Sequence, residues 1–284
     1  MRKKEKKLTF FTIFFGGGRM KQCKCVAVFD SGIGGLTLLA ECMRLLPDCR
    51  FIYLGDNGRA PYGNLPSETI GRYAAESMAA LAKNDIAAAV IACNTVTADA
   101  ADAIRKKYDF PIVGVEPAVL PAARRGGKVL VLATRATLAS SRYASLCARA
   151  ESMAEIISFA PERLAGEIEK KMQTGEKIDL SDHLPEMRCD SVVLGCTHYI
   201  FLKEQIKAFY GAPVFDGNMG AAQRLKFLLG QGGYNIGQQK LGTENHLNEY
   251  TNKCLKNCVK MAKKRVVFMG NAKKINKMVF LSLF

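Results

Sequence analysis

Histidine is scarce in this chain of 284 residues: there are three, against ten cysteines. Cys23-x-Cys25 and Cys254-x3-Cys258 are not a matched pair of metal knuckles, and with so few imidazoles the sequence argues against a structural zinc site. The cysteines lack regular spacing, which argues against a disulfide framework in a core-rich chain and for a reducing cytoplasm. No apolar run is long enough to span a bilayer. Residues 8–15 are apolar and follow a basic run at 2–7, but Gly16-Gly-Gly-Arg19 comes next instead of a small-x-small cleavage site. Residues 1–20 are therefore expected to be an extension outside the fold, with Met20 as an alternative start. Acid is also missing at both ends. Residues 1–25 carry eight basic side chains against one acid and residues 240–284 ten against two, whereas residues 26–239 hold 23 of each sign. The net charge of +15 thus belongs to the termini. With no basic-aromatic groove, specific nucleic-acid binding is not expected; weak attraction to anionic surfaces is.

What is present is a length sufficient for two small domains or one large one, with 49% hydrophobic residues. Val90-Ile-Ala-Cys-Asn-Thr-Val-Thr97 reads as the end of a buried strand, a cysteine, and a polar turn into a helix from residue 98. Ser191-Val-Val-Leu-Gly-Cys-Thr-His-Tyr199 repeats the arrangement. A lone cysteine is usually a small buried hydrophobe. Two strand–cysteine–polar–threonine junctions are different, because their polar residues have no reason to enter a core. The carboxyl end of a strand is where ligands bind in open α/β sheets, and a helix start stabilises anions. Both thiols are therefore expected to have lowered pKa values, and to work as a pair on one substrate.

Taken in order, strands are expected at 25–30, 51–56, 87–92, 110–115, 128–133, 155–159, 191–195 and 212–216, with a last one at 265–269. Helices are expected at 36–46, 66–83 (capped by Ser67), 98–107, 138–150, 162–173, 200–210, 221–229 and 275–283. The charged stretch 179–187 is expected to begin another, and 231–251 reads as loop. This alternation predicts an α/β fold of parallel sheets flanked by helices. Strands ending in Asp30, Asp56, Cys93, Thr134, Cys196 and Asp216 put polar groups along one rim. The turn Ser31-Gly-Ile-Gly-Gly35 lacks the spacing of a dinucleotide loop, and Asp30 would repel phosphate. Asp30 fits either an amino-group site or a helix cap. Arg59, in a polar loop, fits either a carboxylate contact or an ordinary surface turn.

Four stretches in this order, Asp30-Ser-Gly-Ile-Gly-Gly, Asp56-Asn-Gly-Arg-Ala-Pro-Tyr-Gly, Cys93-Asn-Thr-x-Thr-Ala and Gly195-Cys-Thr-His-Tyr, resemble the signatures of the glutamate racemases. These are cofactor-independent members of the aspartate/glutamate racemase superfamily. The resemblance runs from about residue 25 to 229, with a fainter match at 265–283. It implies two pseudo-symmetric α/β domains, each a mostly parallel sheet flanked by helices, with the active site in the cleft between them. By resemblance the first is 21–115 plus 214–284 and the second 116–213, with the crossing at Glu116-Pro117. It also implies that Cys93 and Cys196 are the catalytic acid/base pair, assisted by Asp30 and His198. Asp30, Ser31, Tyr62, Gly63, Asn94, Thr95, Thr134, Thr137, Thr197 and His198 correspond to the substrate-contacting positions. A helper glutamate follows a proline in the family; after Pro161 both Glu167 and Glu169 are candidates. Ile200 stands where the family commonly has proline, and 231–264 is unlike the family.

The resemblance further implies glutamate as substrate, no cofactor and no metal. It also implies a homodimer in the cytoplasm and a role in supplying D-glutamate for peptidoglycan. An aspartate racemase is the near alternative; aspartate-specific relatives resemble Cys-Thr-Glu where His198 stands. A non-catalytic amino-acid-binding protein is the other. The chemistry suits the residues. Racemisation removes a proton from one face of Cα and delivers another to the opposite face, so it needs two bases. No pyridoxal lysine motif is evident, so oriented donors have to stabilise the carbanion.

Overall fold

The computed structural model describes residues 25–47, 49–174 and 177–232, together with the backbone of residues 11–13 and 266–268. Strand β1 (Phe11–Ile13) comes first. The main body then begins with β2 (Cys25–Asp30), α1 (Leu36–Leu45), β3 (Phe51–Gly55), α2 (Ser67–Leu81), β4 (Ile86–Ile91), α3 (Asn94–Arg105) and β5 (Ile112–Gly114). It continues with α4 (Val119–Ala123), β6 (Lys128–Ala133), α5 (Arg135–Leu138), α6 (Ser141–Ala148), β7 (Glu155–Phe159), α7 (Leu164–Thr174) and β8 (Ser191–Gly195). Last come α8 (Lys203–Tyr210), β9 (Val214–Asp216), α9 (Asn218–Gln231) and β10 (Val266–Phe268). β1 and β10 pair antiparallel, so three residues of the amino-terminal stretch sit in a strand. The helix expected at 275–283 lies outside the described residues.

Two parallel sheets result, ordered β3-β2-β4-β5 and β7-β6-β8-β9. The order is the same in both: second strand, first, third, fourth. In each, the connections leave the first strand in opposite directions, which opens a crevice beyond its carboxyl end. Asp30 and Cys93 sit at that point in the first sheet, Thr134 and Cys196 in the second. The internal likeness expected from the two cysteine junctions is thus a likeness of whole sheets.

Each sheet is covered on both faces, which is why its strands read as unbroken apolar runs. Along β2, Val26 and Val28 face the layer holding α1 and α9, while Ala27 and Phe29 face α2 and α3. The second sheet packs α7 and α8 on one side and α4 and α6 on the other. Strand β9 pairs with β8, yet α9 lays Ala221, Ala222, Leu225 and Leu229 on the first sheet. Truncating fully buried Leu225 to alanine costs about 2–5 kcal/mol by loss of transfer energy and cavity formation. The chain therefore crosses twice between sheets, at Glu116 and at Gly217. The two crossings touch: a Cβ on Gly217 would lie 2.3 Å from the Glu116 carbonyl oxygen.

Local departures from expectation have local causes. Helix α3 starts at Asn94 rather than residue 98, because polar Asn94 and Thr95 form its buried first turn. The helix expected over 138–150 is broken in two by Ser140, whose hydroxyl accepts the Tyr143 amide and caps α6. Residues 179–187 form only a 3-10 turn at Leu180–Asp182. Asp179 caps Ser181 there, and Pro185 has no amide to donate further on. Ser67 makes no side-chain cap; the extended residue before α2 is Pro66. No helix among the described residues is long and apolar enough to cross a membrane.

Candidate active site

The first sheet brings Asp30, Ser31 and Cys93 together. Cys93 is the residue between β4 and α3, in extended backbone, and is buried. Ser31 Oγ lies 3.2 Å from its sulfur. Asp30, fully buried, accepts the Gly32 amide at 3.0 Å, and the Tyr53 hydroxyl holds the Gly32 carbonyl at 2.7 Å. Burial raises the Asp30 pKa, outweighing the pull of His198 and of the Gly32 and Gly35 amides. The thiol of Cys93 does not have the lowered pKa expected of it. Burial first, and the Asp30 carboxylate second, push it up to about 12 against the hydrogen bonds from Ser31 and the Val96 amide. A helix start cannot offset complete desolvation next to a carboxylate.

The second sheet brings Cys196, Thr197 and His198 together. The chain after Cys196 is a 3-10 helix, Thr197–Leu202, rather than the start of an α-helix. His198 Nδ1 lies 3.8 Å from the Cys196 sulfur, and its Nε2 lies 2.7 Å from Glu169 Oε1 on α7. Burial alone would lower the pKa of this imidazole. The hydrogen bonds to Cys196 and Glu169, with their charges, overcome burial and raise it well above the ordinary range. A doubly protonated ring donates to both partners at once. Of the two candidate glutamates, Glu169 therefore faces His198, while Glu167 pairs with His183 Nε2 at 2.8 Å.

The two sets interlock. Thr197 Oγ1 donates to Asp30 Oδ1 at 3.3 Å, and Glu169 Oε1 also accepts the Ile33 amide, at 3.1 Å. Further along, Thr95 and Thr134 meet hydroxyl to hydroxyl at 2.9 Å, and Thr134 meets Thr137 at the same distance. The glycine turn makes this approach possible. A Cβ on Gly32 would lie 2.2 Å from Glu169 Oε1, and one on Gly34 2.3 Å from Thr197 Oγ1. Its glycines serve close packing between the sheets, not a phosphate cradle.

Of the remaining positions, Asn94 is buried with its Oδ1 unpartnered within the protein. Tyr62 is buried and donates its hydroxyl to Asp56, while Gly63 packs on Thr134. Arg59 is buried and so not on an ordinary surface turn, and the carboxylates its guanidinium meets are those of Asp56 and Glu76. Sequence reading missed Tyr53, whose site contact is made through a backbone carbonyl that no motif marks.

Residues 46–225 match the family model described as Asp/Glu/Hydantoin racemase. A glutamate racemase of Clostridium novyi is 35% identical over an alignment of 252 residues that covers 84% of this chain and 95% of that protein. Among solved structures, Escherichia coli glutamate racemase in complex with L-glutamate and activator UDP-MurNAc-ala is 34% identical. It superposes with a TM-score of 0.66, covering 73% of this chain and 83% of that one. The Francisella tularensis glutamate racemase, in complex with D-glutamate, is 28% identical with a TM-score of 0.64, covering 76% and 84%. The motifs, the paired sheets and these relatives agree, and the chain belongs to the Asp/Glu/Hydantoin racemase family, in its glutamate racemase group.

Proposed function

We propose that this chain interconverts L- and D-glutamate by two-base proton transfer, with Cys93 and Cys196 acting on opposite faces of Cα and no organic cofactor. The observation that supports this most is that each sheet contributes one buried cysteine at a matched strand end, and that Asp30 and Thr197 join the two settings directly. The settings differ in a useful way. Cys93 keeps its proton, since its pKa is pushed up to about 12, and so rests as a donor. Cys196 stands against an imidazolium whose charge is shared with Glu169, a group placed to exchange a proton with its sulfur. In the forward step the Cα proton passes to the Cys196 sulfur while the Cys93 thiol delivers its own proton to the other face. The reverse step restores both. Asp30 is the neighbour able to relay the Cys93 proton.

The carbanion formed on the way needs donors already in place. Ser31 and Thr95 supply hydroxyls, Thr197 can turn its hydroxyl from Asp30 to the substrate, and Asn94, with its Oδ1 unpartnered, can accept from the substrate ammonium. Tyr62, Gly63, Thr134 and Thr137 form the rest of the wall. On this reading the two domains divide at Glu116-Pro117, and the product is D-glutamate for peptidoglycan, made in the cytoplasm by a homodimer. The test is to assay the purified full-length chain for D-glutamate from L-glutamate, and for solvent deuterium at Cα of both enantiomers, without added cofactor. Conversion of aspartate instead would favour the sister specificity. Binding with no exchange would leave a non-catalytic binder.

A further inference from the structure

We propose that Asp56 and Arg59 are positioning residues for substrate binding, fixing the turn at Tyr62 and Gly63 against Thr134 of the opposite sheet. This rests on the reading above that Tyr62 and Gly63 line the substrate cleft. Asp56 follows β3, is fully buried, and its amide donates to the Asp30 carbonyl at 3.0 Å, so its backbone is anchored to the catalytic strand. Its Oδ2 receives both the Tyr62 hydroxyl and Arg59 Nε. The other arm of Arg59 reaches Glu76 on α2, and its plane lies 3.9 Å over the Tyr73 ring. Tyr73 in turn packs on Tyr62, with ring centroids 5.7 Å apart. A continuous polar chain, Glu76 to Arg59 to Asp56 to Tyr62, therefore runs from the outer face of α2 to the cleft wall.

Burying such a chain is a poor way to gain stability, because desolvation consumes most of the attraction; geometry is what it provides. Burial and the Asp56 charge keep the Tyr62 phenol protonated, so its hydrogen is committed to Asp56. The ring cannot rotate away, and Gly63 is pressed onto Thr134, where a Cβ would lie 2.6 Å from Cγ2. Thr134 then carries the hydroxyl contacts to Thr95 and Thr137. Cutting the chain frees the wall while leaving both sulfurs and their partners in place. Binding of both enantiomers suffers, and proton transfer does not.

Steady-state kinetics of the full-length chain in both directions test this with Arg59→Gln, Asp56→Asn and Tyr62→Phe. The expected result is KM raised about tenfold or more for L- and D-glutamate, with kcat within about threefold. The Arg59→Gln/Tyr62→Phe double variant should be no worse than Arg59→Gln alone, since both cut one chain. If Arg59→Gln does not fold, Glu76→Gln, which weakens the outer, part-exposed end of the same chain, decides in its place. An unchanged KM in Arg59→Gln, or in Glu76→Gln where it stands in, or a loss confined to kcat, overturns the proposal. Wild-type protein that racemises nothing overturns the functional reading instead, so the two failures are distinct.

Discussion

Glu169 on α7 accepts the amide of Ile33 from the glycine turn of the opposite sheet, at 3.1 Å, with the same oxygen that meets His198. One atom thus ties apposition of the sheets to the charge on the imidazole behind Cys196.

That coupling has a direct readout. Glu169→Gln keeps an acceptor for Ile33 but removes the charge, and burial then dominates, so the His198 pKa should fall. With three histidines in the chain, carbon-13 labelling resolves each one. The wild-type His198 signal should stay in its protonated form well above neutrality, and that of Glu169→Gln should titrate lower. Equal titration in the two proteins would break the link.

The same group sets a pH window for stability. Its folded pKa is raised above an unfolded value near 6.5. Its contribution is therefore complete below that value and fades as pH rises through the folded one. Urea unfolding at about pH 6 and about pH 9 should show a loss in wild type that is smaller in His198→Asn.

Replacing Cys93 or Cys196 with alanine should each lower kcat by about 10²–10⁴-fold or more, the usual worth of a positioned acid or base. Enantiomers have equal free energy, so kcat/KM must fall equally in both directions for any variant. A Cys196→Ala protein at full rate would remove the two-base mechanism.

Thiol labelling separates ionisation from identity. Iodoacetamide at neutral pH, mapped by mass spectrometry, should modify half-exposed Cys147 well before Cys93. Cys93 is both shielded and held protonated at pH values below about 12. Preferential labelling of Cys93 would mean that the thiol is more acidic and more open than this geometry allows.

Two glycine substitutions should have opposite signs. Gly34→Ala drives a methyl into Thr197, side chain and backbone, and should cost about 1–3 kcal/mol along with activity. Gly166→Ala, inside α7 with nothing within 4 Å of its Cβ position, should gain roughly 0.4–1 kcal/mol. Thermal denaturation of both against wild type checks the pair.

The strands and the two cysteine junctions were legible because buried parallel strands are apolar runs and the polar residues beside Cys93 and Cys196 break that pattern. Glu169 was not separable from Glu167. Two residues apart on a helix point about 200° from each other, and only the packed face of α7 decides which meets His198. The burial of Arg59 was illegible for a related reason: its partner Glu76 lies on α2, and nothing local shows that the loop holding Asp56 and Arg59 is buried. The direction of the Cys93 shift was misjudged because a helix start is visible in a sequence, whereas the depth at which it is buried is not.

Thr95, Thr134 and Thr137 form a line of three hydroxyls with no built-in polarity. Thr134, in the middle, can turn its hydrogen toward Thr95 or Thr137 while the outer hydroxyls rotate to match, so the line can reverse direction by bond rotation alone, with no heavy atom moving. On the proposed reading of the site, a seam of this kind suits a ligand presented in either hand, because it can adjust to each.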